Sequence, residues 1–72
     1  MSDIQAVLFN RNTYDTIMAQ RWIKKHNLNP IKPVHITNHF LRYRINDPNK
    51  YHNFITKHVN NGEIVLVIGY KS

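Results

Sequence analysis

Residues 55–70 read ITKHVNNGEIVLVIGY, and this stretch decides the fold. Asn61-Gly62 suits the positive φ angles of a tight type I′ turn, and β-branched segments flank it at 55–59 and 63–70, so the stretch predicts a hairpin. The second arm is the strongest strand in the chain. Alternation places Ile64, Leu66, Ile68 and Tyr70 on one face and Val65 and Val67 on the other, so the arm is apolar on both faces.

Three further strands are predicted upstream. Residues 39–45 (HFLRYRI) alternate, with Phe40, Arg42 and Arg44 pointing one way and Leu41, Tyr43 and Ile45 the other. The sequence NDPNK at 46–50 ends that strand with a dense turn signal, and residues 51–54 are read as a helical turn. Residues 31–37 (IKPVHIT) are extended but contain Pro33, which places them at an edge or in an irregular strand. Residues 3–9 (DIQAVLF) give a first strand, with Ile4, Ala6 and Leu8 on one face and Val7 and Phe9 on the other.

One helix is predicted, over residues 13–26. Asn12 or Thr13 is placed at its N-cap and Asp15 in its first turn, where a carboxylate favours the positive helix end. Met18, Ala19, Trp22, Ile23 and His26 fall on one stripe, of which Met18 and Trp22 are read as core packing. Asn27 is expected in the left-handed region beyond the helix, and Pro30 prevents continuation. The order is β-α-β-β-β-β: one small α+β domain, residues 1–72, with a helix packed on a mostly antiparallel sheet. A single helix of this length covers only one sheet face. The other apolar face is read as an interaction surface, most simply for a second copy, which makes the expected state a homodimer with Val65 and Val67 at its interface.

Composition narrows the function. Ten Lys and Arg face four acids, a formal charge of +6, which attracts polyanions. There is no cysteine, so disulfides, thiolate metal sites and thiol nucleophiles are excluded. No apolar run spans a bilayer and the N-terminus carries no signal-peptide pattern, so neither membrane insertion nor secretion is expected. His35, His39, His52 and His58 lie in four segments with no zinc motif, and the serines stand only at positions 2 and 72, so no metal, no cofactor, no small-molecule substrate and no enzymatic activity are expected.

The strongest candidate constellation is Arg42-Tyr43-Arg44. Two residues of strand separate its arginines by about 7 Å, comparable to neighbouring phosphates along one nucleic-acid strand, and guanidinium forks bind phosphate bidentately. Phe40 shares their face as a stacking platform, and Lys32, Lys57 and Lys71 are assigned as supporting contacts if the sheet brings them near. The competing assignment pairs the arginines with Asp47, Glu63 or a C-terminal carboxylate, or places them in a dimer interface.

The succession AVLF, A-x-x-W-I-x-x-H, V-H-x-T-N-x-F-x-R-Y-R-x-x-D-P, F-x-T-K and V-L-V-I-G-Y-K, from Ala6 to Lys71, resembles a family of small basic uncharacterised proteins of large nucleo-cytoplasmic DNA viruses, with related stretches in tailed phages. Ala19, Trp22, His26, Thr37, Asn38, Arg42, Tyr43, Arg44 and Pro48 carry the resemblance most specifically; similar sequences often have glycine where this chain has Asn27. The resemblance implies a viral origin and a location in the virion or the infected-cell cytoplasm at the viral factory, but no reaction. The expected function is thus a non-enzymatic, homodimeric protein that binds DNA nonspecifically. The alternative is a structural virion protein that binds other proteins through its basic and apolar sheet surface.

Overall fold

Three consecutive residues with positive φ, Asn60 (51°), Asn61 (59°) and Gly62 (82°), reverse the chain at the predicted hairpin, a conformation open to Asn and Gly at low steric cost. In a computed structural model describing residues 2–71, this turn joins β4 (Asn53–Val59) to β5 (Ile64–Tyr70). The loop is two residues longer than a type I′ connection. The strands close at Val59 opposite Ile64, and Glu63 belongs to the turn. Upstream lie β1 (Ser2–Asn10), α1 (Thr16–Lys25), β2 (His35–Ile36), β3 (Phe40–Arg44) and a 3-10 turn at Pro48–Lys50. The chain is an α+β fold in the expected order, and its five described strands form one antiparallel sheet ordered β2-β3-β1-β5-β4.

The helix starts three residues later than its periodicity suggests. Thr13 and Tyr14 both donate to the Asn10 carbonyl, which holds residues 11–14 in a turn. Asp15 is therefore the N-cap itself, accepting from the Met18 amide at 2.8 Å. At the other end Asn27 takes φ 59°, and the Asn27 and Leu28 amides close back onto Lys24 and Ile23, as its left-handed tolerance predicts. The 3-10 turn stands where Asp47 and Pro48 start it, ahead of the helical turn expected at 51–54. Only His35 and Ile36 survive of the strand expected across Pro33.

Ala19 and Ile23 pack onto Val7, Phe9, Leu41, Tyr43, Ile45 and Ile64 to make the core. Phe9 is its centre, meeting the rings of Tyr14, Trp22 and Tyr43 at 5.3, 5.6 and 5.7 Å between centroids. The stripe is narrower than expected. Met18 is 44% exposed, and Trp22 is half-buried, edge-on to Phe9 and stacked on His26 at 3.8 Å. The helix does not reach β4, so Ile55 and Lys57 on its side of the sheet are left exposed.

A β-bulge in β1 changes one face assignment. The register with β5 shifts between Ile4 and Ala6. Gln5 fills the bulge: its carbonyl accepts from the Ile45 and Asn46 amides, its side chain donates to the Asn46 carbonyl, and the Asn46 side chain donates to the Ile4 carbonyl. Ile4 consequently turns to the helix side, opposite Ile68 and against the core, rather than sharing a face with Ala6 and Leu8.

Gly69 has a packing reason. The Tyr51 ring lies directly over it, where a Cβ would collide with the ring carbons, and the Tyr51 hydroxyl donates to Asp3 at 3.2 Å. Gly69→Ala is expected to displace Tyr51 and lower stability by about 1–3 kcal/mol, the range for overpacking, in a denaturant melt. An unchanged midpoint would show that Tyr51 is not held there.

Candidate nucleic-acid interface

The sheet face turned away from α1 is built by register. Pairing aligns His35, Arg42, Leu8, Val65 and His58 in one row across all five strands. The next row holds Arg44, Ala6, Val67 and Thr56. Phe40 lies beyond Arg42, opposite Asn10. The face is thus an aliphatic strip, with Ala6 and Val65 buried and Leu8 and Val67 half-buried, flanked on β3 by two half-buried arginines, so of the two valines expected at a dimer interface only Val67 keeps accessible surface.

The acids decide what those arginines pair with. Asp3 binds Lys71 at 3.3 Å and Tyr51. Asp15 caps α1, Asp47 accepts from the Asn49 amide, and Glu63 accepts from the Thr13 hydroxyl. Among the described residues no carboxylate lies in ion-pair range of Arg42 or Arg44, so neither Asp47 nor Glu63 neutralises them. The Arg42 Nε is moreover buried on the sheet with no hydrogen-bond partner. Two neighbouring guanidiniums without counter-charges make this face an anion-attracting surface.

The structure brings together only part of the predicted set. Phe40 shares the arginine face. Lys57 does not: it stands opposite Leu66, on the helix side. Lys32 lines a groove beneath the end of α1 with Lys24, Pro33 and Tyr43, also away from the arginines. Lys71 reaches the arginine side of the sheet but is bound to Asp3 and sits 5.8 Å from the centre of the Tyr51 ring. Val65 and Val67 occupy the same rows as the arginines, so a dimer through these valines would cover the nucleic-acid face. His35 and His58 join the row although no motif singles them out. Counting back from the hairpin turn gives the signal for His58, because closure at Val59–Ile64 sets it opposite Val65. Position 72 lies outside the described residues, and with it Ser72 and any carboxylate there.

Beneath Arg42 and Arg44, Tyr43 points into the core. Its hydroxyl is buried beside Gln20 without closing a hydrogen bond, and burial pushes its ionisation above the ordinary tyrosine range. Tyr51 shifts the same way, through burial first and then its bond to the Asp3 carboxylate. Both tyrosines are neutral in folded and unfolded chains below pH ~10; above it the unfolded chain ionises first, so stability falls as pH rises. Tyr43→Phe is expected to keep or raise stability at pH 7, since it removes an unsatisfied buried hydroxyl, and to weaken the alkaline loss. Melts at pH 7 and 10.5 check both; a large loss at pH 7 would show that the hydroxyl has a partner.

Among the described residues no three His, Asp or Glu side chains gather to hold a metal, and no helix is long and apolar enough to cross a membrane. Compared with family models, curated proteins and solved structures, the chain matches none.

Proposed function

We propose that this chain is a non-enzymatic DNA-binding protein that contacts the phosphate backbone through the open face of its sheet and acts as a homodimer. The observation that carries this reading is the pair Arg42 and Arg44, half-buried side by side on the face turned away from α1 while each described carboxylate is engaged elsewhere. The contact is directed at phosphates, which carry no base information, so it is independent of sequence. The sequence resemblance supports the setting, a virion or viral factory.

Titration of duplex DNA with the purified protein at a series of salt concentrations tests the reading. With ~4–6 phosphate contacts per dimer, log K should fall against log salt with a slope of about −4 to −5, whatever the DNA sequence. No binding at ~50 mM salt, where screening is weak, would end it. The aliphatic strip between the arginines and His58 would then favour a protein partner on the same face.

A further inference from the structure

We propose that the free edge of β4 is a self-association surface, on which a second copy of this chain pairs antiparallel about a two-fold axis through Thr56. The proposal rests on the homodimer reading and is independent of DNA binding.

The two edges of the sheet are built differently. β2 has two residues and follows Pro30 and Pro33, which blunts it against further pairing. β4 has seven residues, no proline and no bulge, and its side chains from Asn53 to His58 are exposed, with Phe54 at 45% and Ile55 at 49%. A long open edge of this kind is a template for another strand.

The phase of the ladder says which groups it offers. The Asn10 amide donates to the Glu63 carbonyl, so in β5 the backbone groups of Val65 face β1 and those of Ile64, Leu66 and Ile68 face β4. Their partners Val59, Lys57 and Ile55 are therefore used within the sheet, and the N–H and C=O groups of Phe54, Thr56 and His58 point outward. These three residues are symmetric about Thr56, which is also the midpoint of Asn53–Val59.

A two-fold axis through Thr56 thus pairs all seven residues with their copies and satisfies the three outward donors and three outward acceptors of each strand. Shifting the axis to Phe54 or His58 runs the partner off an end of the strand. The central register sets Phe54 opposite the partner copy's imidazole at 58 and Ile55 opposite the aliphatic stem at 57, and no lysine directly faces its own copy. A second copy is therefore the occupant whose complement is already written in the strand. This geometry leaves Arg42 and Arg44 uncovered, whereas a dimer through Val65 and Val67 hides them.

A disulfide test follows from the absence of native cysteine. A hydrogen-bonded antiparallel pair has Cα atoms about 5.5 Å apart, within the range a disulfide bridges. Thr56→Cys should oxidise to a covalent dimer at least ~10-fold faster than Val67→Cys, which lies on the arginine face. Thr56→Pro removes an outward amide that the monomer does not use, so it should keep the wild-type circular dichroism spectrum and sediment as a monomer. Because each copy carries +6, dimerisation should strengthen with salt, the reverse of DNA binding. Wild-type protein that sediments as a monomer at ~100 µM would overturn self-association altogether, and DNA binding measured on the same sample would still stand or fall by itself. A wild-type dimer in which Val67→Cys links and Thr56→Cys does not would overturn the β4 edge alone.

Discussion

Replacing Arg42 and Arg44 together by alanine is expected to weaken DNA binding for every sequence alike and to flatten the salt slope by about 3–4. The magnitude follows from counterion release: a dimer presents the pair twice, each phosphate contact contributes about 0.9 to the slope on duplex DNA, and up to four contacts disappear. Between ~50 and ~200 mM salt the gap between wild type and variant should therefore narrow roughly a hundredfold, a change that titrations at the two salt concentrations resolve. The fold should survive, because both side chains are half-buried on an open face and no described carboxylate is stranded by their loss. A variant that unfolds would instead assign the arginines a structural role. A folded variant with an unchanged slope would place the DNA contact elsewhere, on the helix-side lysines first.

Phe9→Ala should bring the domain close to unfolding. Phe9 is fully buried and meets three aromatic rings at tilted or edge-on angles, a geometry that adds to its area burial. Truncating such a residue costs about 3–5 kcal/mol. At about 0.05–0.15 kcal/mol per residue, a domain of this size has about 4–11 kcal/mol in total, so the loss removes about a third or more of it. The loss should appear as a lower urea midpoint with an unchanged m-value. Trp22→Ala should cost about 2 kcal/mol, below the fully buried range, because the indole is only half-buried. Near-equal losses for the two variants would contradict the core described here.

Local chemistry made much of the architecture legible. The left-handed positions at Asn27, Asn61 and Gly62, the two apolar faces of β5 and the parity of Arg42 with Arg44 and Phe40 all follow from one or two residues and their immediate neighbours, whereas the positive φ at Asn60 comes with the longer loop. The start of the helix was harder to read, because three capping residues stand close together and the turn closed by hydrogen bonds from Thr13 and Tyr14 to the Asn10 carbonyl chose among them. Met18 fits the helical period yet stays exposed, because a period gives a face and not the width of what covers it.

The sequence by itself determined most of the elements and their order though not their bounds, the excess of positive charge and the pairing of two arginines on one side of a strand, since each depends on backbone preference or alternation within a few residues. Only the tertiary structure decided which distant residues meet. The strand order put His35 and His58 into the arginine row, sent Lys57 to the opposite face and laid Val65 and Val67 beside the arginines. The Gln5 bulge inverted Ile4, and the fold bound Lys71 to Asp3 while leaving β4 as a free edge. Such outcomes depend on register between strands far apart in the chain, and a one-residue slip moves every side chain to the other face.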